Sequence, residues 1–264
     1  MNKKMNYANM KHLIPACFIL LFSAFTLFYQ DISQSQDYLQ EKEAIKMQIM
    51  KEIPYNSVYG HFIAYSAIRE NDPSLCNNLD TATATLCNGD LDVLLHLRNI
   101  ATNQCEGLPQ EIRPFCLNID NCNKQKGSTL KNMCNGFEAG DVSLIVKSEN
   151  EQNANINLNV YDNTNPADVQ EELSIYKGFK NGGSQETCEK YASNLIGKRA
   201  YLCEVIFSKS PLNNILDSAV EDIAYFILSE NYNDKKFCEQ IKNTNVKYGC
   251  LSELGSKLYF EFGL

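Results

Sequence analysis

The residues whose type and spacing could do chemistry in this 264-residue chain are its eleven cysteines. Ten of them form five local pairs, Cys76 with Cys87, Cys105 with Cys116, Cys122 with Cys134, Cys188 with Cys203 and Cys238 with Cys250, the partners 11 to 15 residues apart. Zinc binding would draw on closely spaced thiolates and histidines, but no Cys-x-x-Cys occurs, and only His61 and His96 lie beyond the first thirty residues. A dithiol redox centre also uses close spacing, and a cysteine nucleophile needs a free thiolate beside a base. An even number of cysteines outside the N-terminal segment is what full pairing in an oxidising compartment requires, so all ten are expected to be structural disulfides. Cys17, the eleventh, is a small apolar residue within the first hydrophobic run.

A second cluster with chemical potential is acidic. Asp162, Asp168, Glu171 and Glu172 could supply paired carboxylates. The plainer expectation is that Asp168 complements the start of a helix while the two glutamates face water. Residues 162–166 lack the glycine and the spaced glutamate of a calcium loop. No nucleophile elbow, phosphate-cradling loop, His-Glu-x-x-His or dinucleotide fingerprint is present. No catalytic residue, cofactor site or metal site is therefore expected.

The N-terminal segment decides where these groups reside. Leu13 to Phe28 carries no charge, is preceded by Lys3, Lys4 and Lys11, and is followed by Asp31, Asp37 and Glu41. Basic before and acidic after directs the N-terminus inward and the remainder outward. Residues 1–35 read as a signal or anchor, short for a spanning helix and with a mediocre cleavage site at Ser33-Gln34-Ser35. The chain carries a net charge of −8; without the three N-terminal lysines, 21 of the 24 basic residues remain against 32 acids, a net of −11. Such a balance repels phosphate backbones and argues against nucleic-acid binding.

Helical periodicity accounts for most of the rest. Residues 56–70 and 212–230 carry amphipathic stripes, and Asp72-Pro73, Asn165-Pro166 and Ser210-Pro211 each read as a helix start. Three first cysteines are followed by Glu, and four have an apolar residue three positions on (Leu79, Leu108, Tyr191, Ile241), which marks an internal repeat. Along a continuous helix, residues 11 apart are separated by about 16 Å, whereas disulfide-linked Cα atoms lie within about 7 Å. The chain must reverse inside each pair, at Gly107 and Pro109, Gly127 and Ser128, Gly197, residues 243–245, and, more weakly, at Asp80 and the Thr-Ala run at 81–85.

The expected fold is all-α: disulfide-stapled helical hairpin repeats stacked as a short α-solenoid or as two small helical bundles, after an N-terminal hydrophobic helix. Residues 36–146 hold repeats 1–3, residues 147–165 form an Asn-rich linker or loop, and residues 166–264 hold repeats 4–5. Stacked helix pairs present extended binding surfaces. The functional expectation is a non-enzymatic interaction or scaffold protein of the cell envelope, extracytoplasmic, anchored to the membrane or secreted, with another envelope protein as partner. The alternative is an extracytoplasmic enzyme acting on peptide or glycan, its site assembled from scattered Asp, Glu and Tyr.

Overall fold

The computed structural model describes residues 37–51, 57–155, 165–193, 195 and 197–252. Among them every regular element is a helix and no strand occurs. Residues 37–51 are helical. Then follow α1 (Ser57–Glu70), α2 (Thr81–Ala101), α3 (Arg113–Leu117), α4 (Ser128–Ala139) and α5 (Val142–Asn155). Beyond the Asn-rich stretch come α6 (Pro166–Lys180), α7 (Gln185–Tyr191), α8 (Leu202–Phe207), α9 (Leu212–Tyr232), α10 (Lys236–Glu239) and α11 (Thr244–Ser252). The hydrophobic run at 13–28, the alternation at Ile156, Leu158 and Val160, and the chain after 252 lie outside the described residues.

Side-chain caps set where these helices start. Asp72 accepts from the Ser74 amide at 3.0 Å and is followed by Pro73, which opens a 3-10 turn over Pro73–Asn78. Asp80 accepts from the amides of Ala82 and Thr83 to start α2, Asn165 accepts from Ala167 to start α6, and Ser184 from Thr187 to start α7. Each cap satisfies donors that the first helical turn leaves open. Pro211, expected at the first helical position, takes the cap position of α9 itself, so that helix starts one residue later, at Leu212.

Five disulfides, Cys76–Cys87, Cys105–Cys116, Cys122–Cys134, Cys188–Cys203 and Cys238–Cys250, staple the chain locally, with Cα atoms 5.5 to 5.7 Å apart. The chain reverses inside each pair, and in the first it does so at the expected Asp80 but without the Thr-Ala run. There the reversal is confined to Leu79 and Asp80, and the Thr-Ala run is the first turn of α2, in which Cys87 already lies. The Asp80 cap makes this possible, because it lets the helix begin six residues before the second cysteine. The staple thus joins a short turn to the helix that follows it. All the bonded cysteines except the half-buried Cys122 are buried. Five such bonds indicate an oxidising extracytoplasmic or secreted environment.

The described residues from Ile49 onward cluster as one compact unit. In it α2 packs against α1 and α6, α4 against α5, α6 against α5, α7 and α8, and α1 against α8. A core from Ile100, Phe115, Ile119, Phe137, Ile145, Leu173 and Tyr176 brings helices from both sides of the Asn-rich stretch together. α4 and α5 approach closely at Gly136, where a Cβ would lie 2.6 Å from Ile145 Cγ1 and 3.2 Å from backbone atoms of Asp141 and Ile145. α5 extends helix seven residues beyond Ser148, into the stretch expected to be a linker. In the last repeat the fully buried Asp222 accepts from Tyr201 Oη at 2.8 Å and from the amides of Lys242 and Asn243 at 2.8 and 2.9 Å, tying α9 to the turn before α11. A buried carboxylate needs such donors, since an unpaired one carries a large desolvation penalty.

Candidate functional site

Spacing on three helices gathers polar side chains at one place. His61 and Tyr65 are one turn apart on α1; Asp90, Val93, Leu94 and Leu97 share a face of α2; Asp168, Glu171, Glu172 and Ile175 share a face of α6. With Arg199, from the 3-10 turn Gly197–Tyr201, they line a cleft of about 290 Å³.

Most of its polar groups are already engaged. His61 Nδ1 pairs with the Asp90 carboxylate. Tyr65 Oη donates to Glu171 Oε1, Arg199 Nε donates to Glu171 Oε2 at 2.7 Å, and Arg199 Nη2 pairs with Asp168. The Tyr65 hydroxyl is buried, and burial together with the Glu171 charge holds its pKa well above the ordinary tyrosine value. One guanidinium thus spans two carboxylates one turn apart on α6, in the forked geometry to which arginine is suited.

Glu172 is different. It makes no hydrogen bond or ion pair among the described residues, and burial, then the charges of Glu149, Glu171 and Asp168, push its pKa up from 4.5 to about 8. Glu172 and Leu97 also line a second cavity of about 220 Å³, whose walls are Ile100, Ile112, Phe115, Leu130, Met133, Phe137 and Tyr176, with Glu111 and Glu149 beside them. Its chemistry is apolar with a carboxylate rim. The Tyr176 hydroxyl is committed elsewhere, bonding Glu138 and Lys180 at 2.9 Å each. The two cavities share Leu97 and Glu172 in their linings, one polar and internally paired, the other apolar; together they are termed the groove.

The sequence had set Asp168, Glu171 and Glu172 aside as a helix start and solvated faces. The structure corrects that for the glutamates: Glu171 is tied to Tyr65 and Arg199, and Glu172 is half-buried between cavities. Asp162 lies outside the described residues. His61, Tyr65, Asp90 and Arg199 come from distant segments, and only the 168, 171, 172 spacing hinted at a shared face. The ten paired cysteines lie in their staples and leave no thiol among themselves. Among the described residues no group of three or more His, Cys, Asp or Glu is placed to hold a metal ion, and no helix is long and apolar enough to cross a membrane.

No family model, no curated protein and no solved structure matches the chain.

Proposed function

We propose that the protein is an interaction protein of the cell envelope, exported and held at the membrane by residues 13–28, which receives a segment of another envelope protein in the groove between α2 and α6. The observation that carries this reading is the open apolar cavity against Glu172, walled by helices that local disulfides fix in place. Pre-formed concave apolar sites with a few polar groups are where proteins take ligands. A stapled scaffold also limits the ordering that binding demands.

A photo-crosslinking residue at Leu130, inside the groove, is compared in living cells with one at Tyr248, which is 67% exposed and lines neither cavity. The expected result is one envelope protein attached from position 130 only, identified through the attached peptide and lost when Met133→Trp fills the cavity. No adduct from position 130, or the same adducts from both positions, contradicts the reading.

A specific observation keeps the enzymatic alternative in view: a carboxyl group with a pKa near 8 shares a cleft with a His–Asp pair. Groups so tuned suit general acid and base roles at neutral pH. Turnover of peptide or cell-wall glycan by the purified protein, abolished by both Glu172→Gln and His61→Gln, would establish it in place of the binding reading.

A further inference from the structure

The chemistry of the groove also restricts its occupant. The second cavity, about 220 Å³, is below the roughly 300 Å³ at which whole small-molecule sites begin, and is better matched to one or two side chains of a polypeptide. Its walls of Ile100, Phe115, Leu130, Met133 and Phe137 offer apolar contact and no hydrogen-bond donor. Among the described residues its charged lining is Glu111, Glu149 and Glu172, with no Lys, Arg or His.

The neighbouring cleft shows what this fold does with carboxylates it keeps for itself. Asp168 and Glu171 share Arg199, and Asp90 has His61. Among the described residues Glu172 receives neither a cation nor a donor, although it lies partly out of water against apolar walls. A carboxyl held out of water without a partner keeps its proton near neutral pH, and a cation brought from outside would stabilise the charged form and displace that proton. An anionic occupant would meet three glutamates in a chain of net charge −8. A sugar would need hydroxyl donors and acceptors along the wall, and the one tyrosine hydroxyl there is bound to Glu138 and Lys180.

We propose that the groove takes a cationic amphipathic segment of the partner polypeptide, an apolar side chain filling the cavity between α2 and α4 and an adjacent lysine or arginine meeting Glu172. This rests on the groove being the partner site. Leu97, shared by both cavities, is the ridge over which such a segment lies. Apolar burial supplies most of the attraction, and the Glu172 contact fixes which segments are accepted.

The full-length protein, labelled with 13C-methyl methionine, reports the groove through Met133, with Met47, 69% exposed, as internal control. The probes are three capped pentapeptides: Lys-Leu-Lys-Phe-Lys, Gln-Leu-Gln-Phe-Gln and Glu-Leu-Glu-Phe-Glu. The lysine peptide is expected to shift the Met133 methyl saturably without moving Met47, and to bind about tenfold or more tighter than the glutamine peptide. The glutamate peptide is expected to leave Met133 unmoved. Glu172→Gln, whose unchanged methyl spectrum reports an intact fold, should weaken the lysine peptide about fivefold and leave the glutamine peptide unaffected. Leu130→Trp should abolish binding of both. Equal affinity for the lysine and glutamine peptides, no effect of Glu172→Gln, or no Met133 shift with the lysine peptide overturns the cationic assignment. The crosslink from position 130 separates the two claims: an adduct on a segment without lysine or arginine sinks this inference alone, whereas no adduct sinks the groove as a partner site.

Discussion

Glu172 titrates far from the usual carboxylate range because it is partly removed from water and faces Glu149, Glu171 and Asp168. Its folded-state pKa is raised, so the native protein holds a proton there that the unfolded chain releases above about pH 4.5. Stability from this group is therefore greatest below that pH and falls as pH rises to about 8. The full linkage of 1.4 kcal/mol per unit is reduced by the remaining hydration, leaving a loss on the order of 2–3 kcal/mol. Denaturant unfolding measured between pH 5 and pH 8.5 should show this decline in the wild type. Glu172→Gln should flatten it and be the more stable protein at pH 8.5. An unchanged slope in the variant would mean that Glu172 is solvated and ordinary. Little of this was legible in the sequence: the spacing of Asp168, Glu171 and Glu172 puts them on one helix face, but whether that face meets water or Tyr65, Arg199 and two cavities depends on packing between segments about 30 to 110 residues apart.

Among the elements, the staples matter most because several helices they hold are too short to persist alone. α3, α7, α8 and α10 have five, seven, six and four residues, well below the length at which isolated helices are stable in water. Closing a loop of 12 to 16 residues restricts the unfolded chain by on the order of 3 kcal/mol. Removing the Cys188–Cys203 bond as the double substitution Cys188→Ala with Cys203→Ala should cost about 2–4 kcal/mol and lower the melting temperature by several degrees. A variant with unchanged stability would show that the packing of α6 on α7 and α8 suffices by itself. The helices and the five pairs were readable from periodicity, proline-marked starts and cysteine spacing. Missed was how early a helix begins within a pair: Thr81 to Thr85 looked like a turn because β-branched residues favour helices weakly, and the Asp80 cap reverses that preference. The end of α5 at Asn155 was missed likewise, since seven polar residues after Lys147 resemble a linker until the first turns of that helix are anchored by Ile145 in the core.

At the scale of the molecule, the disulfides and the groove belong to one account. Local bonds form between cysteines that are neighbours in the chain, so each repeat closes without waiting for the others. The frame that results holds α2, α4 and α6 around an apolar cavity whose rim, among the described residues, carries carboxylates and no basic side chain. The all-helical class was legible because every strong pattern in the chain has helical period. The groove was not, because its apolar cavity alone is assembled from five separate helices, none of which signals it by itself. Such a frame requires that the staples form in the living cell, in an oxidising compartment and in local pairs. Mass mapping of the protein recovered from its native envelope, alkylated and digested without reduction, tests this directly. The expected products are five linked peptide pairs, Cys76 with Cys87, Cys105 with Cys116, Cys122 with Cys134, Cys188 with Cys203 and Cys238 with Cys250. Free thiols at these positions, or bonds joining one repeat to another, would contradict it.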